Sequence, residues 1–152
     1  MNIEGHLEKI RRLEDLRGRL DRNGDFELWF WSTMTAGTNA VNAALHHAKI
    51  TPGERAFPSQ PGVYSVPDEN AGGFKSVLKA SGDVLHVGRP PIPGPIPEDI
   101  AEMMKAMEQI EHFRDPCTRG EMTIDENVIS ACDRAYGKCA DLLRRRLSEK
   151  KQ

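Results

Sequence analysis

Cysteine and net charge are both scarce in this chain, and each shortage closes off a class of protein. Cys117, Cys132 and Cys139 are the only three cysteines, an odd number and too few for a disulfide scaffold. Cys132 and Cys139 fall on one expected helix about 10 Å apart at 1.5 Å per residue, beyond the reach of an intrachain bridge. Reduced core thiols in a cytoplasmic protein are the expectation. The formal net charge of −2, from 21 basic and 23 acidic residues, gives no general attraction to nucleic acid or to an anionic membrane. Nucleic acid is therefore not an expected partner. Asn2, Glu4, His6 and Glu8 replace the basic and apolar pattern of a secretory leader, so none is expected. A glycine-rich phosphate loop, zinc-type cysteine spacing and a hydrolase elbow are also missing. No cofactor is expected.

What the chain does have is one long segment with few charges. Residues 26–50, FELWFWSTMTAGTNAVNAALHHAKI, carry only Glu27 and Lys49 as charges in a chain that is 29% charged. Residues 28–48 are long enough for a membrane span. Their Ser32, Thr33, Thr35, Thr38, Asn39, Asn42, His46 and His47 would each need a partner in hydrocarbon, so a buried helix in a protein without a membrane partner is the better expectation. Trp29, Phe30 and Trp31 fan across about 200° of a helix and must be covered from more than one side, by the protein's own core or by a second copy in a homodimer. Phe30, Met34, Gly37, Val41, Ala44 and Ala48 recur at helical spacing as an apolar face suited to close packing. Thr35, Asn39, Asn42, His46 and Lys49 form a second stripe that is polar but nearly uncharged. Helix propensity does not favour threonine and asparagine there. Asn39, Asn42 and His46 are thus the candidate binding residues, offering amide and imidazole groups either to a small polar ligand or to buried backbone of the segment that follows.

The rest reads as three more helices around an irregular crossover. Ile3, Leu7, Ile10, Leu13, Leu16 and Leu20 give a first amphipathic helix. Gly24 is suited to a left-handed cap and Asp25 to capping the second helix. The DRNGD string has phenylalanine and serine where a calcium loop needs glycine and glutamate, which excludes that loop. Nine of the ten prolines and seven of the thirteen glycines lie in residues 51–97, so no long helix runs there. A short hairpin between residues 74–80 and 83–87 is one local reading of it, a single helical turn the other. Phe57, Val63, Tyr64, Val66 and Phe74 suggest that parts of it pack down as a cover. Pro97, Glu98 and Asp99 start a third helix with the stripe Ile100, Met103, Met104, Met107 and Ile110, ending before Asp115 and Pro116. Thr123 and Glu126 form a capping box for a fourth, with Val128, Ile129, Cys132, Ala135, Cys139, Leu142, Leu143 and Leu147 facing inward.

A second candidate site is the link between the third and fourth helices. His112, Arg114 and Arg119 could hold a phosphate or carboxylate with Cys117 as nucleophile, which would make the protein an enzyme acting on a phosphate or nucleic-acid substrate. The competing reading gives each an ordinary role: His112 and Arg114 complement a helix C-terminus, Asp115 and Pro116 end the helix, and Gly120 turns the chain. The helix count and basic link resemble the HEPN ribonucleases, whose motif places a histidine after an arginine. Here His112 precedes Arg114 and Arg119 and no histidine follows them, so the catalytic motif is missing. Adjacent His46 and His47 diverge by about 100° and cannot chelate one ion, and no Glu-x-x-His pair recurs on two helices, so no metal is expected. Arg144, Arg145, Arg146, Lys150 and Lys151 make a basic end, as cations at a helix C-terminus commonly do.

These readings converge on a mainly α protein: a single helical domain over residues 1–152, built as a four-helix antiparallel bundle with residues 51–96 as the crossover. The function expected is that of a cytoplasmic interaction or small-ligand-binding module, homodimeric and without assignable catalysis. The enzyme at the link is the alternative.

Overall fold

The computed structural model describes residues 1–51, 63–68, 70–72, 74–78 and 95–149. They are mainly helical: α1 Ile3–Arg17, α2 Phe26–His47, α3 Glu98–His112, the short α4 Arg114–Thr118, and α5 Glu126–Ser148. Two strands, β1 Val63–Pro67 and β2 Phe74–Leu78, pair antiparallel in a register from Val63 opposite Leu78 to Pro67 opposite Phe74. Among the described residues no helix is long and apolar enough to cross a membrane.

Helix α1 begins where the Asn2 side chain accepts the Gly5 amide at 2.9 Å, satisfying one of the unpaired N–H groups of the first turn. Its buried residues are His6 and Ile10, while Leu7 is 36% exposed. Ile3, Leu13 and Leu20 pack partly against the core. The inward face is therefore rotated from the expected leucine stripe, with His6 in the place foreseen for Leu7. Arg17, with only 12% of its side chain exposed, lies inward where Leu16 was foreseen.

The turn into α2 also differs in detail. Asp21 Oδ1 accepts the amides of Asn23 and Gly24, each at 2.8 Å, and the Asp25 carboxylate accepts the Asp21 amide at 3.1 Å. Asp25 occupies the cap position, where its carbonyl accepts the Trp29 amide but its side chain makes no cap bond to α2. Gly24 is not among the residues with positive φ. The aspartates bond the loop itself, a local competition that short polar side chains commonly win.

Helix α2 is buried on most of its circumference, from Phe26, Trp29 and Phe30 to Leu45 and His46. The expected packing face is present: Phe30, Met34, Gly37, Val41 and Ala44 are all buried, and Ala48 partly so. Gly37 leaves room for the Met107 side chain of α3, whose Sδ and Cε a Cβ at position 37 would displace. The helix stops in a Schellman motif, with Ile50 donating to the Leu45 carbonyl and Lys49 to that of His46, each at 3.0 Å. Lys49 adopts φ 58°, a left-handed conformation that usually falls to glycine.

The 83–87 arm of the expected hairpin with residues 74–80 lies outside those described, while β2 pairs with the preceding β1 in a ribbon. Its turn closes through Gly72 donating to the Asp68 carbonyl at 3.0 Å, with Gly72 at φ 69°. The foreseen cover of Phe57, Val63, Tyr64, Val66 and Phe74 falls on side chains outside the described set, as do Lys150 and Lys151 of the basic end.

Pro97 is the N-cap of α3 rather than its first helical residue, and Ile100, Met103, Ala106, Met107 and Ile110 face the core. Asp115 and Pro116 do not end the helical region: they belong to α4, whose first turn tolerates a proline because its amides need no intrahelical acceptor. Gly120 turns the chain at φ 77°, as expected. The cap of α5 is Asp125, which accepts from the Val128 amide at 3.0 Å, so the capping box of Thr123 and Glu126 does not form. Val128, Ile129, Cys132, Ala135, Tyr136, Cys139 and Leu143 are buried along α5.

Helix α2 packs against α1, α3 and α5, and α3 packs against α5. His6 meets Asn39 while Arg17 meets Thr33, so α1 and α2 run in opposite directions. Asp99 pairs with Arg146 and Lys138 with Glu102, which sets α3 against α5 in the same sense. All three cysteines are buried, and the Cys139 thiol donates to the Met103 carbonyl at 3.2 Å.

Candidate functional site

The polar stripe of α2 divides when the helix is placed among its neighbours. Asn39 and His46 turn toward α1, where they meet His6. Thr35 and Asn42 are only half-buried and lie with Leu28, Trp31 and Thr38 on the least covered strip of the helix. At 100° per residue those five positions span about a quarter of the circumference. None carries a charge, and Leu28 is 53% exposed.

On the α1 side the hydrogen bonds fix the chemistry. Asn39 Nδ2 donates to the Thr35 carbonyl at 2.7 Å, which directs Oδ1 toward His6 Nδ1 at 2.8 Å. Since that oxygen only accepts, His6 carries its proton on Nδ1. His46 Nδ1 lies 3.1 Å from the Thr51 carbonyl and 2.7 Å from the Thr51 hydroxyl. The carbonyl can accept a proton carried on Nδ1 and the hydroxyl can donate to a bare Nδ1, so the Thr51 contacts fit either tautomer of His46. The two imidazole centroids are 5.2 Å apart, tilted by 36°. Burial holds both below the ordinary imidazole range; the bond to Asn39 partly offsets this for His6, and the one to Thr51 for His46. Both rings are thus neutral at neutral pH, tying the first turns of α1 and the exit of α2 together.

The other end of the α1–α2 pair holds a permanent charge. Arg17 Nε donates to Thr33 Oγ1 at 2.7 Å and Nη2 to Asp133 Oδ1 at 2.6 Å. Its guanidinium lies 4.4 Å from the Tyr136 ring centroid and 5.5 Å from that of Trp29. Tyr136 donates to Glu14 at 2.7 Å, and Arg22 adds a second cation to Asp133. Trp29 is therefore covered within the chain by Arg17 and Phe26, and Phe30 by Phe26 and Trp31.

The link between α3 and α5 places its four residues differently. His112 is exposed with its ring edge-on to Phe113. Arg114 pairs with Glu111 and Asp115, and Asp115 also faces Arg119. Cys117 is buried, and burial pushes its thiol up, away from the thiolate a nucleophile needs. Cys132 is pushed up to about 12, again by burial. The arginines face carboxylates rather than a common vacant anion site. Beside them, Lys105, Glu108, Gln109, His112 and Phe113 border an open depression along α3. Among the described residues, no three or more His, Cys, Asp or Glu side chains gather where they could hold a metal.

Two residues of the α1 interface, His6 and Arg17, were not singled out by the sequence as site residues. Their signal is present but hidden: Ile3, His6, Ile10, Leu13, Arg17 and Leu20 keep helical spacing as well as the leucine stripe does. Compared with known protein families, curated proteins and solved structures, the chain has no match.

Proposed function

We propose that this chain is a non-catalytic interaction module: a four-helix antiparallel bundle centred on α2, with residues 51–96 crossing between α2 and α3. It pairs with a second copy through Leu28, Trp31, Thr35, Thr38 and Asn42. The observation that carries this reading is the uncharged, partly exposed strip itself, on a chain that is 29% charged. A helix face turned to water would ordinarily carry lysine, glutamate or arginine, whereas depletion of charge marks the centre of an interface.

Interaction is favoured over capture of a small polar ligand by Asn39, Asn42 and His46 together. Asn39 and His46 already bond His6, Thr35 and Thr51. A ligand reaching both would have to displace those bonds, leaving buried polar groups to satisfy again. Asn42 takes no part in that chain of bonds and belongs with the open strip.

Light scattering after size exclusion tests the proposal. A dimer is expected, converted to a monomer of near-unchanged thermal midpoint by Leu28→Glu or Thr35→Arg. A wild-type chain that stays monomeric at high concentration would overturn it.

A further inference from the structure

We propose that His6 and His46 form an acid-sensitive latch, which fastens the N-terminal turns of α1 to the exit of α2 and lets both go as the pH falls below neutrality. The geometry is that of two buried imidazoles in ring contact, 2% and 9% exposed, with centroids 5.2 Å apart. His6 already uses its Nδ1 proton on Asn39, so an added proton goes to its Nε2; His46 Nδ1 contacts the carbonyl and hydroxyl of Thr51, and an added proton makes both of its nitrogens donors. Doubly protonated, the pair would be two cations side by side away from water, which a low-dielectric surrounding penalises steeply.

The groups around the pair add to this penalty. From α1, the Met1 ammonium acts on both rings and Lys9 on His6; from α2, each histidine faces the other. Thr51 contributes a hydroxyl and a carbonyl, neither of which titrates in this range. Met1 and Lys9 are both positive, so each disfavours a further positive charge on the rings it acts on.

The consequence for linkage has a definite sign. Both histidines are held below their ordinary value in the folded chain, so the opened chain binds more protons below about pH 6.5. Stability is complete above that value and falls as the pH drops through it. Each proton taken up on opening weakens the closed form up to tenfold per pH unit, and two protons up to a hundredfold.

The latch also determines where the protein loosens. His6 holds the start of α1 and His46 the Thr51 end of the Schellman turn, so opening should begin there and leave the α3–α5 packing closed.

The test is native-state hydrogen exchange of the full chain at pH 7.5 and 5.5, corrected for the intrinsic pH dependence, alongside NMR titration of the histidine Cε1 protons. Expected are pKa values below that of free histidine for His6 and His46, and at pH 5.5 a tenfold or greater loss of protection at the amides of Lys49 and Ile50. The buried α5 amides near Cys132 and Cys139 should change much less. His6→Gln with His46→Gln should flatten this pH dependence. Should that double variant not fold, the wild-type titration and exchange decide alone. Histidine pKa values at or above that of the free side chain, or protection lost uniformly over all helices, would overturn the latch.

Discussion

At one end of the α1–α2 pair a permanent cation is partly buried: Arg17 sits against two aromatic rings, a threonine hydroxyl and Asp133. At the other end His6 and His46 are buried neutral and in ring contact, bonded to Asn39 and to Thr51. His6 and Arg17 both take inward positions of α1 that a leucine stripe would otherwise fill, yet the responses of the two ends to conditions should differ. Arginine's charge is fixed, so its end depends on the partners being in place. The imidazoles can acquire charge, so their end depends on pH. A helix pair is thereby fastened by one clasp that ignores acidity and one that senses it.

The largest effect should come from Arg17→Met, which keeps most of the side-chain volume but removes the cation. Asp133 retains Arg22, so a loss of about 2–3 kcal/mol is expected by chemical denaturation, near the low end for breaking a buried pair. The loss should be equal at pH 7.5 and 5.5. A marked pH dependence would erase the distinction between the two ends.

Asn39→Ala removes the acceptor of the His6 Nδ1 proton and should cost about 1–2 kcal/mol at pH 7.5. Combined with Arg17→Met, the two losses should add to within about 0.5 kcal/mol if the clasps are independent. A larger discrepancy in the double variant would show that they act as one.

Tyr136→Phe deletes the hydroxyl bonded to Glu14 while leaving the ring under Arg17, and about 1 kcal/mol is expected. The smallest change is a gain. Lys49→Gly relieves a left-handed backbone at the cost of some added chain entropy, and should raise stability by about 0.5 kcal/mol. A loss in thermal or chemical midpoint would mean that the lysine side chain has a role of its own at the His46 end.

Much of this fold can be read from hydrophobic spacing. The low-charge stretch predicts α2 to within a few residues, and the stripes of α3 and α5 fall on the buried positions Ile100, Met107, Ile110, Ile129, Cys132 and Cys139. What spacing could not settle was the rotation of α1. Leu7 and Leu16 offer an apolar face as regular as that of His6 and Arg17, and only the partners Asn39, Thr33, Asp133 and Tyr136, distant in sequence, decide between them. Caps failed for a local reason: the Asp25 carboxylate takes the Asp21 amide of the loop, and Asp125 rather than Thr123 takes a first-turn amide of α5, a choice that propensity does not make. Asn39 and His46 were legible as unusual residues for a helix face. Their bonds were not, because one partner lies on α1 and the other beyond a turn.

That turn between His46 and Thr51 has a strict residue count. Thr51 reaches the His46 ring only because the chain reverses through Ala48, left-handed Lys49 and Ile50, with Ile50 returning to the Leu45 carbonyl. One inserted residue would carry Thr51 about 3.8 Å along the chain, further than any hydrogen bond stretches. Substitution is therefore tolerated here more readily than a change of length, and a loop that accepts new side chains but refuses an added or deleted residue is a spacer whose function is measurement.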